Sequence, residues 1–164
     1  MTKLIIAMFL CMSFNACSKP TESAKGLLTK LYTRYEKSFL EIDIRSKYVD
    51  SLLTPAFSRL IRLDANRSVG EMGYLNWDPL CDCQDPEGIH LDSISVLQKS
   101  DTAFCEVRLK YLGVVKTIRY EFVEINKKLL IRDIGSKAVP SLFDYLLENL
   151  KKDYPDSVGN SWPK

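Results

Sequence analysis

Thr102-Ala-Phe-Cys-Glu-Val-Arg-Leu-Lys-Tyr-Leu112 alternates between apolar and polar side chains along most of its length. A period of two is that of a β-strand with one face in the core and the other in water. The stretch therefore predicts a half-buried strand of an antiparallel sheet. The residues predicted to face the core are Ala103, Cys105, Val107, Leu109 and Tyr111, and those predicted to face water are Glu106, Arg108 and Lys110.

Three neighbouring segments carry the same signal. Ile94–Gln98 precedes the opening stretch, Lys116–Ile125 follows it, and Leu129–Ile134 comes after the turn residues 126–128. Short connections between such segments predict hairpins. We expect a four-stranded antiparallel meander with one wet face.

Segments whose apolar residues have helical spacing lie before and after these strands. Apolar residues recur every three or four positions from Lys25 to Ile42, and a short second helix is predicted over Tyr48–Leu53. Thr54 is a predicted N-cap with Pro55 at the first helical position, for a helix that runs to about Arg67. A last amphipathic helix is predicted over Pro140–Lys152. Helices on one side of a meander make an α+β domain, and the helix-first order is typical of a cystatin-like or NTF2-like cone.

Residues 70–93 form a predicted long irregular loop that is rich in acids. The spacing of its acids does not match the calcium-binding loop of EF-hands, so we expect no metal there. We predict that Asp78, Asp82 and Asp85 form a partner-binding edge. The alternative is that Asp78 and Asp85 only cap backbone N–H groups within the loop.

Three cysteines lie in the predicted domain, at Cys81, Cys83 and Cys105. We expect a disulfide between Cys105 and one of the loop cysteines, with the choice between the two left open, and we expect a Cys81–Cys83 bond to be strained. A zinc site made from these thiols and His90 is disfavoured, because the spacing is not that of common structural sites.

The N-terminus has the composition of a secretory signal. One lysine precedes the apolar run 4–10, which is too short to span a bilayer, and small or polar residues follow. Phe14-Asn15-Ala16-Cys17 resembles the bacterial lipobox, which implies cleavage after residue 16 and lipidation of Cys17. The alternative is an ordinary signal with Cys17 an incidental thiol. By resemblance to the sorting rule of such lipoproteins, in which Asp after the cysteine retains the protein at the inner membrane, Ser18 favours the periplasmic leaflet of the outer membrane.

These features predict four parts: a signal peptide at 1–16, a lipidated tether at 17–24, one α+β domain at 25–152 and a loose tail at 153–164. Removal of 1–16 takes away one lysine and no acid, which leaves 22 basic and 21 acidic residues. This balance argues against nucleic-acid binding. The chain has no G-x-S-x-G or H-E-x-x-H motif and a single histidine, so we expect no catalytic residues, no cofactor and no enzyme.

Several short motifs together resemble the YbjP-like family of small proteobacterial lipoproteins, a domain of unknown function. They are Leu31-Tyr32-x-x-Tyr35, Leu53-Thr54-Pro55-x-Phe57-x-x-Leu60, Gly73-Tyr74-Leu75-x-Trp77-Asp78-Pro79 with Gln84-Asp85, and Leu130-Ile131-Arg132-Asp133-Ile134. The resemblance covers about residues 25–150. It implies an envelope lipoprotein with a small α+β domain and no accepted catalytic activity.

The expected function is that of a lipid-anchored periplasmic module that binds another protein. An immunity or inhibitor protein that blocks an envelope-targeting effector comes first. An accessory subunit of an envelope complex is the second hypothesis, and a small-ligand carrier or enzyme with an NTF2-like cavity is the third.

Overall fold

A computed structural model describes residues 20–66, 72–99, 102–156 and 158. No helix in these ranges is both long enough and apolar enough to cross a bilayer. The predicted signal peptide at 1–16 and the predicted lipidation site Cys17 lie outside the described residues. In chain order the elements are α1 (Pro20–Lys37), α2 (Lys47–Asp50), α3 (Pro55–Ala65), β1 (His90–Lys99), β2 (Thr102–Tyr111), β3 (Val114–Ile125), β4 (Lys128–Gly135) and α4 (Leu142–Asp153).

The four strands form one antiparallel sheet in the order β1-β2-β3-β4, so the predicted meander is confirmed. Cys105 lies opposite Val96 on one side and Tyr120 on the other, which fixes the register at the centre of the sheet. β1 begins at His90, four residues earlier than predicted. The first turn, Leu112-Gly113, has both residues at positive φ, as two-residue hairpins of the favoured twist require.

One face of the sheet is buried under the helices. The alternation predicted for β2 and β3 is confirmed, because Ala103, Cys105, Val107 and Leu109 are buried together with Ile118, Tyr120 and Phe122. α1 lies against β1 and β2, and its core-facing side chains are Leu28, Leu31, Tyr32 and Tyr35. The α+β class is therefore correct, while the cystatin-like or NTF2-like cone stays a prediction.

The other face of the sheet carries charge pairs between adjacent strands. Lys110 Nζ on β2 lies 2.6 Å from Asp92 Oδ1 on β1, and Arg119 Nε on β3 lies 3.2 Å from Glu106 Oε1 on β2. Such solvent-exposed pairs contribute little to stability, about 0–1 kcal/mol each. They place charged side chains on the face of the sheet that meets water, opposite the buried apolar face.

The N-terminal boundary of the domain differs from the prediction. α1 begins at Pro20 and Ala24 is fully buried, so residues 20–24 belong to the folded domain and not to the tether predicted over 17–24. The polar sequence Pro-Thr-Glu-Ser concealed this first turn, since Pro, Ser and Thr are common at the start of a helix.

The C-terminal boundary is also later than predicted. α4 ends at Asp153, but Val158 is only 1% exposed and its N–H donates to the carbonyl of Tyr154 at 3.0 Å. The loose tail predicted over 153–164 is therefore wrong for Val158, whose side chain joins the core. A boundary placed at the end of the last predicted helix leaves out Val158, although its side chain is apolar and packs into the core.

The connection before α3 is tied to the sheet. Thr54 N–H donates to the carbonyl of Ile131 at 2.9 Å, and Ile131 N–H donates to that of Leu52 at 2.8 Å, which makes a short parallel bridge along the edge of β4. Thr54 also caps α3, with Pro55 in the first turn as predicted. The outer edge of β4 is thus partly covered.

Candidate docking surface

The acidic loop contains a tight reversal between Asp78 and Cys83. Asp78 N–H donates to the carbonyl of Cys83 at 2.8 Å, and Asp82 has a φ of 51°, which turns the chain back on itself. The Cα atoms of Cys81 and Cys83 are 5.2 Å apart, within the usual range for a disulfide, and their sulfurs are bonded. The loop is therefore closed on itself.

The predicted disulfide between the loop and Cys105 is wrong in this structure. Cys105 does lie mid-strand on the core face of β2, as predicted, but it is a free and fully buried thiol. Burial raises its pKa to about 11, so it is unreactive as a nucleophile. The expectation failed because the sequence does not show that the turn at Asp82 brings the two loop sulfurs together.

The hydroxyls of three tyrosines form hydrogen bonds that hold the reversal between Asp78 and Cys83 in place. Tyr35 Oη donates to Asp78 Oδ2 at 2.6 Å, and Tyr32 Oη lies 2.7 Å from the carbonyl oxygen of Leu80. Tyr32 and Tyr120 hydroxyls are also 2.7 Å apart. Because Tyr32 has one proton to give to Leu80, Tyr120 is the donor to Tyr32. The loop is thus fixed to α1 and to the centre of the sheet.

The pKa of the Asp78 carboxyl is shifted by its surroundings. Burial raises its pKa, and the donors Tyr35 Oη and Leu80 N–H oppose that rise by stabilising the ionised form. Burial likewise raises the pKa values of Tyr32, Tyr35 and Tyr120, so their hydroxyls stay protonated and act as donors. The tyrosine network therefore holds the loop in position and does not serve to transfer protons.

The three predicted partner-binding aspartates do not lie on one edge. Asp78 points inward to Tyr35, and its Oδ1 accepts from Leu80 N–H at 2.9 Å. Asp85 is exposed, and its Oδ1 accepts from Glu87 N–H at 3.0 Å. Asp82 is half-buried and presents its backbone carbonyl to the Lys116 ammonium. Asp78 is therefore a structural acceptor, and Asp82 and Asp85 are the two acids at the surface.

An open groove of about 710 Å³ adjoins these two acids. Aromatic side chains form much of its wall, with the rings of Trp77 and Tyr145 5.8 Å apart in an edge-to-face arrangement. Lys116 Nζ lies 5.3 Å from the centre of the Tyr111 ring. We call this surface the loop face, and define it by Trp77, Asp82, Gln84, Asp85, Tyr111 and Lys116.

A buried carboxylate, paired with an exposed arginine, supports the start of the loop. Asp64 on α3 is 1% exposed and lies 3.6 Å from Arg45, and its carboxylate accepts from Tyr74 N–H at 2.7 Å and Leu75 N–H at 3.1 Å. Gly73 is required here, because a Cβ at that position would lie 2.7 Å from Asp64 Oδ2. Sequence reasoning missed this role, and the only signal was an acid on the apolar side of a predicted helix.

The loop face lies at one end of the sheet. Glu36, near the C-terminus of α1, accepts from Leu91 N–H at the start of β1, while Tyr32 reaches Tyr120 in mid-sheet. α1 therefore runs towards the hairpin at Leu112, and its N-terminus lies towards the opposite end. An 18-residue helix is about 27 Å long, which separates the two ends.

The rejected zinc set is not assembled. The Cys81 and Cys83 sulfurs are bonded to each other and Cys105 lies inside the sheet. Within the described ranges, no three side chains of His, Cys, Asp or Glu are grouped closely enough to hold a metal ion.

No protein-family model matches the chain, and a search of curated proteins finds no match.

Proposed function

We propose that this protein is a lipid-anchored, non-catalytic binding module of the periplasm that docks on another protein through the loop face. The observation that carries the proposal is the way the loop is built: a self-closed turn, fixed by three tyrosines, presents acids and aromatic rings next to an open groove. A preordered surface loses little conformational entropy on binding.

The composition of the loop face supports protein binding. Trp, Tyr and Arg are the residues most enriched in the energetically important parts of interfaces, and Trp77, Tyr111 and Tyr145 lie around the groove. Asp82 and Asp85 add negative charge, which favours a partner with a basic cleft. An immunity or inhibitor protein that covers the active cleft of an envelope-targeting effector has this chemistry.

The proposed lipid anchor at Cys17 would orient the domain on the membrane. If Cys17 carries lipid, two residues separate it from Pro20, and a chain of that length spans at most about 11 Å. Two or more acyl chains hold a protein stably on a membrane, here the periplasmic leaflet of the outer membrane. Because α1 runs from this end to the loop face, the loop face would point away from the membrane and into the periplasm.

A second candidate, an accessory subunit of an envelope complex, is supported by the hairpin beside the loop face. Leu112 is 79% exposed, and Val114 and Val115 are 58% and 46% exposed. Exposed apolar side chains in one short segment are typical of more permanent contacts. A toxin gene directly beside the gene for this protein favours the inhibitor, and an isolated gene favours the subunit.

The anchor is tested by fractionation. Wild-type protein should sediment with outer membranes and carry acyl chains on Cys17 by mass spectrometry, whereas Cys17→Ser should remain uncleaved or be released. Wild-type protein with an unmodified N-terminal cysteine and a soluble distribution would refute the anchor.

Docking is tested by quantitative capture from detergent-solubilised envelopes. Wild-type protein, the variant Trp77→Ala/Asp85→Asn and the control Thr29→Ala are compared as baits, since Thr29 is exposed on α1 and is not among the residues that line the groove. A partner should be enriched with the wild type and the control and reduced at least tenfold with the double variant. Equal enrichment by all three baits would refute docking through the loop face.

A further inference from the structure

A second cavity, of about 590 Å³, lies where β3 and β4 meet the first turns of α3 and α4. It shares no lining residue with the groove of the loop face. Small-molecule sites in proteins commonly enclose about 300–1,000 Å³, so this cavity has the size of a site for a small ligand.

One wall of the cavity is apolar and fixed. It is formed by Pro55, Val123, Ile125 and Phe143. The Phe143 ring is held edge-to-face against Phe57 at 5.9 Å, and Ile125 is 38% exposed although it is an isoleucine on a strand. An apolar group bound against this wall would be removed from water.

The remaining wall carries more negative than positive charge. Glu121 and Arg132 form an ion pair across β3 and β4, and Asp133 and Asp144 add two further carboxylates. Among the described residues, neither Asp133 nor Asp144 has a cationic partner in an ion pair. Asp133 Oδ1 accepts from Phe143 N–H at 2.9 Å and from Ile134 N–H at 2.8 Å, which holds the carboxylate at the cavity. Burial raises the pKa of Asp133, with a smaller contribution from Asp144, while hydrogen bonds from Ser141 and the two backbone N–H groups oppose that rise.

The charges and the apolar wall of the cavity disfavour three classes of ligand. A metal ion is disfavoured, because no three carboxylates of the described chain are grouped to share one. An anion would meet three acids and an arginine that is already paired. A neutral apolar molecule would cover the carboxylates without a compensating partner, which is unfavourable.

We propose that this cavity binds a small organic cation, an ammonium or guanidinium group on an apolar body. The cation lies at Asp133 and Asp144, and the body lies against Val123, Ile125 and Phe143. The site goes beyond protein docking through the loop face, and the two are independent. The same chemistry is offered by a free amine and by a basic side chain of a peptide.

The first test compares, on the full-length purified protein, three probes that share a phenylalkyl body and differ in their polar end. They are 4-phenylbutylamine, 4-phenylbutanol and 4-phenylbutyrate, titrated by calorimetry and by NMR with isotope-labelled protein. The amine should bind at least tenfold more tightly than the other two and shift the amide signals of Val123 and Phe143. No preference for the amine, or shifts confined to other parts of the chain, would overturn the proposal.

The second test uses matched variants. Asp144 is exposed, and no residue within the described ranges donates a hydrogen bond to its carboxylate, so Asp144→Asn should fold normally and weaken amine binding about threefold to tenfold. Asp85→Asn, in the loop face, is the control and should leave the affinity unchanged. Equal affinity of both variants and the wild type would refute the role of the acids.

The third test asks whether the bound cation belongs to a free amine or to a basic side chain of a peptide. A capped tripeptide with a central arginine between leucines is titrated beside the amine. Tighter binding of the peptide assigns the site to a protein's basic side chain, tighter binding of the amine assigns it to a free amine, and binding of neither overturns the proposal.

Discussion

Replacement of Tyr35 by Phe removes one hydroxyl from beneath the acidic loop and leaves the ring in place. That hydroxyl donates to Asp78 Oδ2 at 2.6 Å, and burial already raises the pKa of this carboxyl. A hydrogen bond to a charged group contributes about 1.5–3 kcal/mol. We expect Tyr35→Phe to lower the free energy of unfolding by about 2 kcal/mol, equivalent to roughly 6–10 °C in the melting temperature of a domain of this size.

The effect should depend on pH in a defined direction. Above its raised pKa the Asp78 carboxyl is ionised and the variant lacks a donor to that charge, so the difference between wild type and variant is largest there. As the pH falls through the raised pKa of Asp78, the carboxyl becomes protonated in both proteins and the lost bond is only a neutral one. The difference in stability should therefore shrink in acid.

The assay is urea unfolding followed by circular dichroism from pH 3 to pH 8. Tyr48→Phe is the matched control, because the Tyr48 ring lies beneath the Arg34 guanidinium at 4.4 Å and keeps that contact, and it should change stability by less than about 0.5 kcal/mol. A double-mutant cycle with Asp78→Asn should show coupling. If Tyr35→Phe costs no more than Tyr48→Phe, or the cost does not change with pH, the tyrosine network does not hold the loop.

Three further predictions concern the backbone and the thiols. Gly73→Ala should destabilise the protein by about 1–3 kcal/mol, because its Cβ would meet Asp64. Gly26→Ala in the open part of α1 should instead stabilise it by about 0.5–1 kcal/mol in thermal unfolding, and the opposite order of stability would contradict the close contact between Gly73 and Asp64. Leu112→Gly should raise stability by about 0.5–1 kcal/mol in urea, since φ is 47° there, and a loss would contradict a strained turn. Peptide mapping without reduction should find Cys81 bonded to Cys83, and Cys105 should react with iodoacetamide only after unfolding; a peptide linked to Cys105 would contradict this pairing.

The sheet was the most predictable part of the fold because each strand carries its own period. The inward residues from Ala103 to Leu109 alternate strictly, and pairing with Ile118 and Tyr120 follows from short turns. Thr54 and Pro55 predicted the start of α3 for a similarly local reason. Both ends of the domain were misplaced, since burial of Ala24 and Val158 depends on what packs against them and not on their neighbours in sequence.

The site was less predictable because its geometry depends on contacts between distant residues. Composition predicts that the loop is acidic, but it does not predict which of the acidic side chains face water. Asp78 turns inward because Tyr35, 43 positions away, donates to it. The disulfide was placed wrongly for the same kind of reason, since one backbone reversal at Asp82 decides which sulfurs meet.

The most direct test of docking through the loop face is photo-crosslinking in living cells. A photoreactive amino acid is placed at Gln84, which is exposed on the loop face, and in a second strain at Thr29, which is exposed on α1. The proposal predicts a discrete, larger crosslinked product that contains one partner protein for position 84 and none for position 29. No product at position 84, or the same product at both positions, would contradict it.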